Sequence, residues 1–297
     1  MKSQRSIIIE NALRLLKETN SNCLFLFLNT LRDCNWFLRL ELSAKTNIVV
    51  IVPKHLNIND APFRSSGIKI IKSWAGNQTR FSRIKYAFLQ GVLHGIINSD
   101  SKVVCVLGPW GKSHLDTITI HDLGLSWSEE FPFDVRSLIN NRAFNVLMAV
   151  VDIALDIGAL GREGKPVGTT FVVGDTKNVM AYSHQAVFNP FKGYPKKERL
   201  INRPEVVESI KELAKLDGAI IISEDGVVEA AGRHLDTSRA TTRYLRGLGA
   251  RHRAAAGITF KTEAIAVVVS ESTGRVTIFE RGRIVATLEP VISRRLV

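Results

Sequence analysis

The chain has 297 residues, enough for about two domains that each bury a core, and its 45% hydrophobic and 23% charged residues are a globular composition. No run approaches the roughly 18 uncharged apolar residues of a spanning helix, and the N-terminus is too polar and charged for a secretory signal, so a cytoplasmic protein without a membrane segment is expected. The formal charge of +12 divides as 16 basic and 11 acidic residues in positions 1–135 and 24 and 17 in the remainder; with no basic tail and no Lys/Arg block, nucleic acid is disfavoured as a partner and a small polyanion fits at least as well.

In chain order, residues 7–17 carry apolar side chains at helical spacing, and residues 23–28 form a short apolar run, predicting helix then strand. Strands are predicted at 47–52, 67–71, 102–107 and 115–120, with an amphipathic helix at 81–97, so the first part reads as an α/β domain. Cys23, Cys34 and Cys105 lack metal-ligand spacing and read as buried thiols. Gly108-Pro-Trp-Gly111-Lys112-Ser113 imitates a phosphate-binding P-loop, but the loop is too short and the following segment is extended. His114, Asp116, His121 and Asp122 read as ordinary loop and strand polar residues rather than metal ligands.

Residues 126–136 break every periodicity, which places a domain boundary there: 1–135 as an N-terminal α/β domain and 136–297 as a second domain with a mixed sheet. In the second domain helices are predicted at 143–160 and 204–216 and a strand at 168–173, followed by a looser loop. Residues 217–231 form a hairpin turning at Asp225-Gly226, and three more strands follow at 264–269, 275–279 and 283–288. Between hairpin and strands lies Gly247-Leu-Gly249-Ala-Arg251-His252-Arg253-Ala-Ala-Ala-Gly-Ile-Thr259, a glycine turn, a basic cluster and strong helix formers. A helix start of this kind offers free N–H groups and cationic side chains to anionic oxygens.

Asp217, the Arg251-His252 pair and Ser270-Glu271 together supply what phosphoryl-type transfer needs: carboxylates for a divalent cation, cations for phosphate, and a hydroxyl. Gly218 and Ala219 leave room for a flat group beside the backbone. Arg253, two positions from Arg251, points elsewhere and is open to pairing with Glu263 or another acid.

Asp217-Gly-Ala219, then Gly249-Ala-Arg251-His252-Arg253-Ala-Ala255, then Ser270-Glu271 with Thr273-Gly274, resembles the diadenylate cyclase (DisA N-terminal, DAC) domain over about residues 140–290. Gly161-Arg-Glu-Gly-Lys-Pro-Val-Gly168, Val173-Gly-Asp175 and Asn189-Pro-Phe191 add to the match. The order of domains resembles the archaeal type, DacZ-like, whose N-terminal domain is similar to the C-terminal domain of pyruvate kinase. The resemblance implies condensation of two ATP molecules into cyclic di-AMP and two pyrophosphates, with Mn²⁺ or Mg²⁺, in a homo-oligomer with facing active sites. It implies Asp217, Arg251 and His252 as catalytic residues, Gly218, Ala219, Leu235, Arg251, His252 and Ser270 as nucleotide-binding residues, and Asp217 and Glu271 as metal ligands. A non-catalytic adenine-nucleotide or cyclic di-AMP sensor is the alternative. Ala250 and Ser272 stand where many relatives carry Thr and a second acid, so one hydroxyl contact and one carboxylate of the family pattern are absent.

Overall fold

The computed structural model describes residues 3–40, 47–74, 76–124, 138, 141–162, 165–236 and 249–291. The boundary expected at 135/136, and Gly247 at the head of the basic motif, lie outside the described residues. The chain divides into two compact units, Met1–Phe131 and Pro132–Val297.

In the first unit, helices α1 (Gln4–Glu18), α2 (Leu31–Phe37), α3 (Ala61–Ser65) and α4 (Arg80–Leu93) alternate with strands β1 (Cys23–Phe27), β2 (Ile48–Pro53), β3 (Lys69–Ser73), β4 (Lys102–Leu107) and β5 (Thr117–Asp122). The sheet order is β3-β2-β1-β4-β5, parallel except for β5, which runs antiparallel to β4. β1 and β2 are buried throughout, as expected of parallel strands covered on both faces. The short helices α2 and α3 went unpredicted because five to seven residues hold too few turns to establish a 3.6-residue period.

The Gly108–Ser113 loop leads into β5, not a helix. Its carbonyls at Gly108, Pro109 and Lys112 accept from Arg83 and Asn29 side chains, which is the reverse of a phosphate cradle of N–H groups. Asp116 pairs with Arg80 at 2.6 Å and Asp122 with Lys102 at 3.7 Å. His121 packs edge-on against Phe88, its pKa pushed down to about 4 by burial, and no metal-binding group of three such side chains exists among the described residues. All three cysteines are free and buried. No helix among the described residues is long and apolar enough to cross a membrane.

The second unit contains α5 (Phe144–Leu160), β6 (Thr169–Val173), α6 (Thr176–Ala181), β7 (Ser183–Gln185), α7 (Pro204–Leu213), β8 (Ala219–Ile222), β9 (Val228–Leu235), α8 (Ala250–Lys261), β10 (Ile265–Val269), β11 (Val276–Glu280) and β12 (Arg283–Leu288). The sheet is mixed, in the order β12-β11-β10-β6-β8-β9-β7, with β6 and β8 parallel and every other pair antiparallel. Ala255, Ala256 and Ile258 of α8 pack with Val172, Ile221, Ala266 and Val268, while α5 packs on β10 and β11. β10, covered in this way, is buried at every position. α6 and β7 stand where a looser loop was expected. α6 is only six residues long, and β7 exists by pairing with β9, a partner about 50 residues away that no local pattern reveals.

Candidate active site

Strand directions bring the site together. Asp217 precedes β8, Pro166 precedes the parallel β6, and Ser270 and Glu271 follow the antiparallel β10, so all stand at one end of the sheet. The N-terminus of α8 arrives at the same end, and a cavity of about 890 Å³ is lined by Asp217, Arg251, His252, Ser270 and Glu271, together with Gly249 and Ala250.

The helix start is built for an anion. Gly249 is the N-cap and gives no side-chain cap, and the first turn contains no acid. The N–H groups of the first turn, normally met by Ser, Asp or Glu side chains, have no such side-chain partner among the described residues and stand at the positive end of the dipole. Arg251 adds its guanidinium, tethered by an ion pair from Nη1 to Glu271 Oε2 at 3.1 Å. The pair passes over Gly168, where a Cβ would stand 2.8 Å from Arg251 Nη1, 2.9 Å from Glu271 Cβ and 3.0 Å from Glu271 N. Ser270 closes the β10–β11 turn, accepting at its carbonyl from Gly274 N (2.8 Å), and its hydroxyl lies 3.2 Å from that of Ser272.

His252 is half-buried, edge-on to the Phe279 ring at a centroid distance of 6.0 Å. Burial, then the neighbouring Arg275 and Arg251 cations, hold its pKa below the ordinary value of 6.5. The ring therefore gives up its proton more readily than an isolated imidazole, and in its neutral form it donates one hydrogen bond and accepts another.

Asp217 is exposed; its Oδ1 accepts from Gly218 N at 3.0 Å, and it has no ion-pairing cation among the described residues. Gly218 has φ +106°, and a Cβ there would stand 2.7 Å from the Gly232 carbonyl carbon of β9, so its bareness serves strand packing. Ala219 and Leu235 are buried, 1% and 7% exposed, within the core under α8 and do not line the cavity. The structure thus gathers five of the eight predicted site residues around one cavity, places Gly218 beside it in sequence, and puts Ala219 and Leu235 beneath it.

Sequence reasoning missed two groups of cations. Arg275 lines the main cavity and is anchored to Glu289 at 2.8 Å. A side cavity of about 300 Å³ shares Pro166, Arg251 and Glu271 with the main one and adds Arg162, Lys165 and Lys215. These residues come from three separate loops, so no local motif exposes them; the turn at 161–168 was the one signal available.

The two carboxylates at the cavity suit a hard divalent cation. Asp217 has no competing ion pair among the described residues, and two carboxylates completed by substrate phosphate oxygens and water are a common magnesium-type arrangement. No third such ligand joins them among the described residues.

Residues 156–284 match the family described as DAC, DisA bacterial checkpoint controller nucleotide-binding. A diadenylate cyclase of Methanocaldococcus jannaschii is 38% identical over 205 residues, 67% of this chain and 65% of that protein. A diadenylate cyclase of Haloferax volcanii is 32% identical over 210 residues, 70% of this chain and 75% of the other. The cyclic di-AMP synthase CdaS of Bacillus subtilis is 38% identical over 79 residues, covering 27% and 35% of the two chains. The archaeal matches are longer than the second unit, so the likeness extends into the first. The chain spans about two thirds of the length of the Methanocaldococcus relative and three quarters of the Haloferax one. On the motif, the cavity around it and these relatives, the chain belongs to the diadenylate cyclase family.

Proposed function

We propose that this protein condenses two ATP molecules into cyclic di-AMP. In each half-reaction a ribose 3′-oxygen forms a bond to the α-phosphorus of the facing ATP, its proton departs, and the bond from that phosphorus to the β-phosphate bridge breaks to release pyrophosphate. The observation that carries the reading is the acid-free start of α8, with no side-chain cap among the described residues, and its Arg251 lining one cavity with Asp217 and Glu271.

Two triphosphates brought together repel: unit charges about 4 Å apart cost roughly 4 kcal/mol at an effective dielectric of 20. The N–H groups of α8, Arg251 and Arg275 offset this charge, and His252 donates to a phosphate oxygen. Lys165 of the side cavity, with Arg162 and Lys215, which also pair with Glu212, adds positive charge for the departing pyrophosphate. Asp217 sits at the 3′-hydroxyl and orients it. Asp217 and Glu271 would hold Mn²⁺ or Mg²⁺, which would supply Lewis-acid stabilisation of the charge that develops. Because each cavity takes one ATP, attack on the neighbouring nucleotide requires two subunits face to face, so homo-oligomerisation supplies the proximity.

The test is incubation of the purified protein with ATP and Mn²⁺ or Mg²⁺, with the product identified by mass. Cyclic di-AMP is the expected product. ATP binding without product in either metal would leave the nucleotide sensor as the function, a reading that needs the basic cluster but not both carboxylates.

A further inference from the structure

Phe188, between β7 and α7, is 99% exposed, more than any other large apolar side chain among the described residues. A single exposed apolar side chain is ordinary, so the backbone that presents it decides whether it has meaning. Here that backbone is fixed at both ends of a loop. At its start, Gln185 Nε2 donates to the Val187 carbonyl at 2.8 Å and to the Ala231 carbonyl at 2.6 Å. Asn189 Nδ2 donates to the Glu229 carbonyl at 2.9 Å, while its Oδ1 accepts from Phe191 N at 3.1 Å and Ala231 N at 3.3 Å. At its end, Arg199 donates to the Val228 carbonyl at 2.7 Å, pairs with Glu229 at 2.8 Å and holds the Tyr194 carbonyl through Nε at 3.0 Å. Both ends attach to residues 228–231 of β9, so the segment between them closes into a compact surface loop, a form that frequently carries function.

Two phenylalanines three residues apart divide the work. Phe191 is buried and anchors the loop, whereas Phe188 is held out in solvent, with Val187 and Tyr194 adding exposed apolar surface to the same loop. The loop's charge is mostly of one sign. Lys192, Lys196 and Lys197 are exposed and have no ion-pair partner among the described residues, and of the two acids nearby Glu229 is taken by Arg199, which leaves Glu198. A rigidly presented apolar projection with unpaired lysines matches a surface that is negatively charged outside and apolar within.

We infer that this loop docks the protein onto an anionic lipid surface, Phe188 entering the boundary between headgroups and acyl chains while the lysines meet headgroup phosphates. Lysine suits that task, since its stem lies along apolar material and lifts the ammonium into the polar layer. A protein partner fits less well, because lysine is depleted in protein interfaces. A nucleic acid also fits less well: three lysines confined to one loop make no track for a phosphate backbone, and Val187 offers no face for stacking. One aromatic wedge and three cations give a reversible attachment, unlike the insertion of a spanning helix. The inference stands apart from the cyclase reaction and is tested without it.

The experiment is co-sedimentation of the full-length protein, at fixed ionic strength, with vesicles of phosphatidylglycerol and phosphatidylcholine in equal parts and with vesicles of phosphatidylcholine alone. Binding to the anionic vesicles is expected to be at least about tenfold tighter and to weaken as salt is raised. Phe188→Ser, at a fully exposed position, is expected to keep the melting temperature and to weaken anionic-vesicle binding about fivefold or more. Lys192→Gln, Lys196→Gln and Lys197→Gln combined are expected to weaken it at least about tenfold. In Phe188→Trp, brominated lipid is expected to quench emission more than in the unsubstituted protein, which separates insertion of the ring from adsorption through the overall charge of +12. No preference for anionic vesicles, undiminished binding by Phe188→Ser, or no added quenching overturns the inference. It is overturned equally if Phe188→Ser abolishes binding of a single-stranded oligonucleotide, or self-association in sedimentation velocity, while vesicle binding persists; the loop would then be a nucleic-acid surface or a subunit interface.

Discussion

Asp217 and His252 show how burial decides what a polar residue does. Asp217 is exposed at the mouth of β8 without an ion-pairing cation among the described residues, which leaves its carboxylate available to substrate and metal. Asp217→Asn keeps the shape and removes the charge. Turnover is expected to fall by about 10²-fold or more while ATP affinity, held by Arg251 and α8, changes only a few-fold. Near wild-type turnover in that variant would remove Asp217 from the chemistry. His252 works differently, because burial and two arginines lower its pKa in the free protein. A bound triphosphate acts in the opposite direction and raises it, so the complex holds more proton than the free partners, and ATP affinity is expected to rise as pH falls from about 7.5 to about 6. Calorimetry in buffers of different ionisation enthalpy measures this as proton uptake on binding, an uptake that His252→Gln abolishes; proton release instead would contradict the assignment. That a histidine lies beside Arg251 was legible in the sequence. Its lowered pKa was not, because Arg275 and Phe279 reach it from β11 and its approach.

At the scale of elements, α8 is the organising feature. Its alanines and Ile258 face the sheet, so a helix with little amphipathic contrast is fixed by close packing of small side chains, and its uncapped start is held at the cavity. The position and type of this helix were readable from the Gly-x-Arg-His-Arg-Ala-Ala pattern. The crossing of Arg251 and Glu271 over the entry to β6 was not. Gly168→Ala tests that crossing: the added methyl collides with the backbone and Cβ of Glu271, which cannot rotate away, as well as with Arg251. A loss of activity of about tenfold to hundredfold is expected, with little change in far-ultraviolet circular dichroism. Full activity would show that the ion pair is dispensable.

At the scale of the whole molecule, the proposed reaction joins two ATP molecules, one from each of two subunits, so it is expected to depend on association. Specific activity is expected to fall on dilution as the oligomer dissociates, measured by product formation alongside sedimentation; constant specific activity down to demonstrated monomer would refute catalysis across two subunits. The alternation of long apolar runs, the hairpin around Asp225-Gly226 and the order of the three motifs were determined by the sequence alone, because each depends on local periodicity, turn chemistry or residue type. Tertiary structure decided the rest. Strand direction put Asp217 and Ser270-Glu271 at the same end of the sheet; packing buried Ala219 and Leu235; and three loops distant in sequence assembled the cations around Arg251. None of these has a local signature, since each depends on which residues the folded chain brings within a few ångströms and which it removes from water.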